Sequence, residues 1–302
     1  MSIIEDKQRI ETAVSDIKTQ IINKGVNVPE GTRIDGIPSL ISSIPSGGDD
    51  ETLKGIIGRS ITSVTVPDGV TSIGKYAFAY CDKLTEINIP NSVSSIMESA
   101  FSNCNQLKTF CLPEKINKIS NGTFDQCNSL VSITFSENIT SIGANAFYSC
   151  SNLIISDLPE SITSINGSAF RGCNSLALKK LPDGIKGLNH YVFYNCKNLA
   201  LTKLPSMLTS LGPATFSGCS KLAITEIPAG VNIIDGDTFA NCTGLTSITF
   251  KGTPTKQIIA TVFKGCTNLT VINVPWSEGE VANAPWGAVN ATINYNYNET
   301  GV

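Results

Sequence analysis

One pattern of apolar and polar positions recurs along most of the chain. It is complete for the first time in residues 61–81, and its closing unit, Phe-x-x-Cys-x-x-Leu, returns every 23 residues, with 24 residues in the last step. Nine copies of a unit of this length predict a solenoid, in which each copy forms one turn and stacks on its neighbours. The phenylalanine and cysteine of each copy are predicted to form the structural core: Phe78, Cys81, Phe101, Cys104, Phe124, Cys127, Phe147, Cys150, Phe170, Cys173, Phe193, Cys196, Phe216, Cys219, Phe239, Cys242, Phe263 and Cys266.

Each copy divides into three segments. The first is extended, as in residues 84–89, where apolar Ile87 and Ile89 flank a polar residue in the alternation of a strand with one buried face. An apolar arm follows, and the last segment carries the phenylalanine and the cysteine, which we predict to lie in a short helical turn. This order predicts a right-handed, curved leucine-rich-repeat solenoid of the α+β type, with a parallel β-sheet on its concave face.

The chain before the repeats has a different periodicity. Apolar residues spaced by heptads predict an amphipathic helix over residues 3–24, and a second short helical segment follows at residues 37–44. Two interpretations fit: the helix packs on its own domain, or it forms a coiled coil between subunits. Isoleucine at both seam positions favours a homotrimer in the second case. The seam residues are Ile3, Ile10, Val14, Ile17 and Ile21.

These patterns divide the chain into four parts. Residues 1–45 form the N-terminal unit, and residues 46–50, Ser-Gly-Gly-Asp-Asp, are a flexible linker. The solenoid occupies residues 51–274, and its first part, residues 51–60, covers the open end of the first rung. Residues 275–302 form a C-terminal cap. Both tryptophans, Trp276 and Trp286, lie in this cap and either close the last rung or form an exposed aromatic platform for a sugar or a peptide.

Composition excludes several classes of function. The 302 residues carry a net charge of −3, and only 16% are charged, which does not suit nucleic-acid binding. No apolar run is long enough to insert into a membrane. The N-terminus also lacks the apolar core of a secretory signal peptide. We therefore expect a cell-surface location if a leader was trimmed, and otherwise a protein assembled in the cytoplasm.

The ten cysteines do not indicate a disulfide scaffold. Nine hold one equivalent position per repeat, where a thiol acts as a small apolar side chain, and we predict them to be buried and free. Cys111 lies in a strand segment and is expected to be exposed. There is no Cys-x-x-Cys pair, and the single histidine, His190, falls at a surface position, so we predict neither a metal, a cofactor nor catalysis.

The strand pattern changes in four consecutive copies, from Leu-x-x-Ile-x-Ile to Leu-x-Leu-x-x-Leu. A shift by one residue exchanges the two faces of a strand. Either an apolar stripe faces solvent across four rungs, or a bulge in each rung turns the shifted residues into the core. We favour the bulge, because four exposed aliphatic side chains would reduce solubility. The shifted residues are Ile155, Leu178, Leu201 and Ile224.

Beside this change, the outward-facing positions become charged and then return to small polar residues. Such a variable row on a regular scaffold is how repeat proteins build a binding face, although an ordinary solvated surface gives the same pattern. The candidate binding face consists of Asp157, Lys179, Lys180, Thr202, Lys203, Thr225 and Glu226.

The repeat, Ile-Pro-x-x-Val-x-x-Ile-x-x-x-Ala-Phe-x-x-Cys-x-x-Leu, resembles the BspA-like leucine-rich repeat family over roughly residues 53–274. Members of that family are typically bacterial or protozoan surface and adhesion proteins that bind host or matrix proteins. The resemblance therefore implies a non-enzymatic binding protein that presents its concave face to a protein or glycan partner. It fixes no individual binding residue.

The N-terminal unit has a second resemblance. Its heptad helix, followed by Lys-Gly-Val-Asn-Val-Pro-Glu-Gly-Thr-Arg-Ile-Asp at residues 24–35, resembles the N-termini of tail or host-attachment proteins of prophages in Gram-positive gut bacteria. This resemblance implies an alternative function, a phage tail or fibre protein that uses the repeats for host attachment. A virion component needs no signal peptide, whereas surface members of the repeat family normally have one.

Overall fold

The structure is a computed structural model that describes residues 61–254 and 257–298. The predicted N-terminal unit at residues 1–45, the linker at 46–50 and the cap at 51–60 lie outside the described residues. The predictions of a heptad helix, of a trimer and of a phage-like attachment unit therefore remain predictions.

The repeats form a parallel β-solenoid of about ten turns, and successive turns are one sequence period apart. Short strands build two ladders along it, numbered here in chain order. The first ladder contains β1 (Ser63–Thr65), β3 (Glu86–Asn88), β5 (Thr109–Cys111), β7 (Ser132–Thr134), β12 (Glu226–Ile227), β14 (Ser247–Phe250), β16 (Val271–Asn273) and β17 (Thr292–Asn294). The second contains β2 (Ser72–Ile73), β4 (Ser95–Ile96), β6 (Lys118–Ile119), β8 (Ser141–Ile142), β9 (Ser164–Ile165), β10 (Gly187–Leu188), β11 (Ser210–Leu211), β13 (Ile233–Ile234) and β15 (Gln257–Ile258).

The register of both ladders follows the sequence period. Val64 pairs with Ile87, its equivalent in the next repeat, and Ile248 pairs with Ile272 across the longer step that contains the extra residue of the last repeat. In β1 the middle residue, Val64, is buried between two exposed neighbours, as the alternation predicts. Each strand of the second ladder ends in an aliphatic residue, which is buried in every rung. The two ladders thus enclose one core that runs the length of the solenoid.

Stacked phenylalanines form the centre of this core. The nine predicted rings are fully buried, and neighbouring rings lie nearly parallel, with centroids 5.3–5.7 Å apart. The nine predicted cysteines are buried beside them. The prediction of a repeated Phe and Cys core is therefore confirmed.

The core thiols also connect successive rungs. From Cys104 onward, each thiol donates a hydrogen bond to the carbonyl oxygen of the phenylalanine in the preceding rung, with Sγ–O distances of 2.9–3.1 Å. Each of these carbonyls also accepts the N–H of the cysteine in its own rung, so the thiol adds a second hydrogen bond, and cysteine is small enough for the interior. Burial raises the pKa of eight of the nine core thiols, to about 12 for Cys81 and about 11 for Cys266.

The predicted helical turn around the phenylalanine is wrong: the described residues contain no helix. The N–H of Ala77 donates to the carbonyl of Gly74 within the rung, whereas that of Phe78 donates to Ala100 in the next rung. A helix would direct every N–H group within its own segment. Here alternate N–H groups join the rungs, so the segment is a series of turns.

Positive φ angles maintain these turns at two positions in most rungs. Tyr76 has φ of 59° and Tyr80 has φ of 63°, and both values would interrupt a right-handed helix. The second position precedes the cysteine and is usually asparagine or glycine, the residues that adopt this conformation most readily. This is the sequence signal that contradicts a helical turn. In later rungs the residues at this second position are Asn103, Gln126, Ser149, Gly172, Asn195, Gly218, Asn241 and Gly265.

The C-terminal segment closes the described core. Trp276 and Trp286 are buried, their rings meet edge to face at 6.1 Å, and both contact Phe250. The indole N–H of Trp286 donates to the carbonyl of Ala282 at 2.8 Å. β17 pairs with β16 and extends the first ladder by one strand beyond the repeats. Neither tryptophan offers an exposed aromatic platform.

Thiol chemistry gives a direct check of the core. Cys111 is exposed in β5, as predicted, whereas the other nine cysteines are buried. We expect one thiol of ten to react with a chromogenic disulfide reagent within minutes in the native protein, and all ten in denaturant. The variant Cys111→Ser should lose the fast reaction. Rapid reaction of several native thiols would contradict the buried column.

Candidate functional site

The first ladder is interrupted at the rungs where the sequence pattern changes. Between β7 and β12, three rungs have no strand in this ladder. We call residues 153–158, 176–181, 199–204 and 222–227 the altered rungs. Their shifted side chains are buried, so the predicted turn into the core is confirmed and the alternative of an exposed apolar stripe is wrong. The exposed fractions are 6% for Ile155, 0% for Leu178, 0% for Leu201 and 1% for Ile224.

The backbone shows how the shift is accommodated. In a regular rung the N–H of Thr85 donates to the carbonyl of Thr62, which is its equivalent in the preceding repeat. In the altered rungs the N–H of Ala200 donates instead to the carbonyl of Leu178, the residue that follows its equivalent, Ala177. The N–H of Ala223 donates to Leu201 in the same way. The accepting carbonyl has moved along the chain to the next residue, so the chain bulges without losing contact between rungs.

This bulge changes the surface that the ladder presents. A regular rung exposes one residue between two buried ones, such as Thr65 between Val64 and Val66. An altered rung exposes two adjacent residues instead, such as Lys179 and Lys180. All seven candidate residues are exposed in these adjacent pairs: Asp157, Lys179, Lys180, Thr202, Lys203, Thr225 and Glu226. Sequence reasoning identified these positions, and the structure places them in consecutive rungs.

Two ion pairs lie on this surface. Lys180 contacts Glu160, an interaction that lowers the pKa of the Glu160 carboxyl, and Lys251 contacts Glu226 at 3.3 Å. Both pairs are exposed and contribute little to stability. Among the described residues, neither Lys179 nor Lys203 forms an ion pair, so their charges are available to a ligand.

A second cluster, which the sequence analysis missed, lies on the turn segments. The guanidinium carbon of Arg171 is 5.5 Å from the ring centroid of Tyr148, 5.2 Å from that of Tyr191 and 5.0 Å from that of Tyr194. These four residues are the Arg171 cluster, and each is half-buried. Three of them occupy the position after the phenylalanine in consecutive rungs, where other rungs have mostly small residues. That substitution pattern is the signal that could have revealed the cluster.

His190 lies at the edge of this cluster. Its side chain is exposed, as predicted, and its ring meets that of Tyr191 edge to face at 5.9 Å. A Cβ atom at Gly167 would come within 2.6 Å of the imidazole, so the glycine lets the histidine lie against the neighbouring rung. In the part of the chain that the structure describes, no group of three His, Cys, Asp or Glu side chains could hold a metal ion. No helix in that part is long and apolar enough to cross a membrane.

Comparison with known proteins agrees with this architecture. A family model described as "BspA type Leucine rich repeat region" matches residues 57–177 and 173–283 in 6 copies. A solved structure of a leucine-rich repeat protein from Bacteroides ovatus is 26% identical, covers 77% of this chain and 69% of its own, and has a TM-score of 0.57.

Two further solved structures are similar. The leucine-rich repeat protein of T. pallidum is 33% identical, with 53% of this chain and 78% of its own covered and a TM-score of 0.48. The pneumococcal vaccine antigen PcpA is 18% identical, with 80% and 70% covered and a TM-score of 0.52. No curated protein matches the chain.

Proposed function

Because the chain belongs to the BspA-type leucine-rich repeat family, we propose that it is a non-enzymatic adhesion protein whose altered rungs bind a protein or glycan partner at a bacterial surface. The observation that carries this proposal is the paired exposure of polar and charged residues on four consecutive rungs. Each altered rung keeps its apolar residues in the core while it presents an additional side chain to solvent. The altered strand pattern therefore changes the exposed surface and keeps the apolar core packed.

The charges of these rungs favour an acidic partner. Lys179, Lys180 and Lys203 lie on two neighbouring rungs, which stack about 4.8 Å apart. Asp157 and Glu226 flank them on the outer altered rungs, and Glu226 is already paired. A ligand with carboxylate or sulfate groups would meet positive charge at the centre of the face. Its affinity should fall as salt is added, because the interacting groups are exposed.

Replacement of two lysines tests this face. We expect the full chain to bind at least one ligand on an array of sulfated, sialylated and neutral glycans or on an array of extracellular-matrix proteins. The double variant Lys179→Glu, Lys203→Glu should weaken that binding at least tenfold, since both charges are reversed at the centre of the face. Binding is measured by surface plasmon resonance at two salt concentrations.

A matched control changes charge by the same amount elsewhere on the solenoid. Lys83 and Lys108 are exposed on regular rungs, and the variant Lys83→Glu, Lys108→Glu should keep the affinity of the unmodified chain. Equal losses in the two double variants would show a nonspecific charge effect and would count against the altered rungs. Absence of binding to either array by the unmodified chain would count against adhesion.

A further inference from the structure

The Arg171 cluster is a polar surface whose cation lacks a polar partner among the residues that the structure describes. Among the described residues, the Arg171 guanidinium forms no ion pair and donates no hydrogen bond, and the three tyrosine hydroxyls form no hydrogen bond either. A guanidinium has five N–H donors in one plane. Its contacts with three rings hold it by cation–π attraction and leave those donors to solvent.

The turn segments that form the cluster carry charge of one sign, and the first carboxylate at an equivalent position is Asp125, one rung beyond Tyr148. The turn segments of the three rungs concerned, residues 144–151, 167–174 and 190–197, contain no aspartate or glutamate. They carry Arg171 and Lys197, together with His190. A positive, aromatic surface without a carboxylate of its own suits an anionic ligand. The planar fork of arginine matches a carboxylate, which accepts two parallel hydrogen bonds.

The size and surroundings of the cluster favour a sugar over a protein. Three rungs span roughly 10 Å between the outer ones, which is the length of one or two sugar rings. None of the large apolar side chains that are exposed in the described residues lies on these turn segments. A stable protein interface needs an apolar centre and about 800 Å² on each partner. The flanking residues are instead small and polar, such as Ser149 and Asn195, and suit sugar hydroxyls.

We propose that the Arg171 cluster is a binding site for a carboxylate-bearing sugar, separate from the altered rungs of the first ladder. Arg171 receives the carboxylate, and the hydroxyls of Tyr148, Tyr191 and Tyr194 bond to neighbouring sugar oxygens. The rings hold the guanidinium in place before the sugar arrives, so little side-chain entropy is lost on binding. This site goes beyond the proposed adhesion surface, since it lies on the turn segments and uses none of the candidate residues.

Titration calorimetry of the full chain tests the site with four ligands: sialyllactose, an oligogalacturonate, lactose and a glutamate oligopeptide. We expect binding of at least one carboxylated sugar with a Kd in the millimolar range or below, and none of lactose. The two acidic sugars distinguish a sialic acid from a uronic acid as the source of the carboxylate. Failure of both acidic sugars, equal binding of lactose, or tighter binding of the peptide would each overturn the proposal.

Substitutions in the cluster and elsewhere test whether the acidic sugar binds at Arg171. Arg171→Lys keeps the positive charge but loses the planar fork, and it should weaken binding at least tenfold. The control is Lys264→Gln, at the equivalent position of a distant rung, which should leave the affinity unchanged. Lys179→Glu combined with Lys203→Glu should also leave it unchanged, so failure of this site and failure of the ladder face are distinguishable. Unchanged binding in Arg171→Lys would overturn the assignment.

Discussion

Raising the pH from 8 to about 10 is expected to unfold the solenoid completely, because an unfolded thiol ionises near pH 8.5. Burial raises the pKa of eight core thiols, so the native chain keeps protons that the unfolded chain releases. The stabilising contribution is complete below the pKa of the unfolded thiols and is lost as pH rises towards the folded values. The eight are Cys81, Cys104, Cys150, Cys173, Cys196, Cys219, Cys242 and Cys266.

The size of this loss in the free energy of unfolding follows from the number of buried thiols. Each such thiol lowers the free energy of unfolding by about 1.4 kcal/mol per pH unit in this range. Eight thiols together remove roughly 11 kcal/mol by about pH 9.5, which equals the whole stability of a typical domain. The transition should therefore be steep, with several protons released together.

Circular dichroism during an alkaline titration in reducing buffer measures the transition, and return to pH 7.5 should restore the native spectrum. The variant Cys111→Ser, which lacks only the exposed thiol, should unfold at the same pH. A variant with Cys173, Cys196 and Cys219 changed to alanine should show a shallower dependence of the free energy of unfolding on pH. A native spectrum that persists to pH 11 would contradict the protonated column.

Removal of one ring from the middle of the phenylalanine stack should cost about 3–5 kcal/mol in the free energy of unfolding. Phe170 is fully buried and stacks on both Phe147 and Phe193. The change Phe170→Ala removes both contacts and leaves a cavity that the rigid ladders on either side cannot close. Because each rung is supported by its neighbours, the loss weakens both halves of the solenoid.

Urea denaturation at pH 7.5 measures this cost. Phe135→Ala deletes the same atoms from a half-buried ring directly after β7 and should cost less than half as much. Phe263→Ala acts near the C-terminal end, where Phe263 stacks on Phe239, and should loosen mainly the last rungs. A loss below about 1 kcal/mol for Phe170→Ala would mean that the stack is not a structural core.

The sequence predicts the core of this protein better than its surface. The 23-residue spacing places each phenylalanine and cysteine in a stacked column, because identical rungs superpose identical residues. The burial of Leu178 and Leu201 was also predictable, since exposure would be unfavourable. The helical turn was predicted wrongly because the apolar spacing outweighed the asparagine or glycine that precedes six of the nine core cysteines. That residue marks a positive φ, which ends a helix.

The Arg171 cluster shows what spacing alone does not reveal. Arg171 is one full repeat away from both Tyr148 and Tyr194 and slightly less than one repeat away from Tyr191, so no short motif contains the four residues. They meet because adjacent rungs place equivalent positions side by side. Reading the sequence in columns of equivalent positions, one column for each place in the repeat, would have found three of the four. Exposure of the candidate ladder residues could be predicted in the same way, but the identity of their ligand depends on chemistry outside the chain.

The register of the second ladder has a consequence for how the gene can evolve. In that ladder each rung pairs with its neighbours at equivalent residues, and the same thiol joins them, so the loss or duplication of one whole repeat would join equivalent residues. Unequal recombination between the repeated stretches of the gene would create such lengths directly. Each event would change the reach of the protein by about 4.8 Å while leaving the fold of every other turn unaltered. Length is therefore a trait that evolution can adjust in this protein without redesigning its interior.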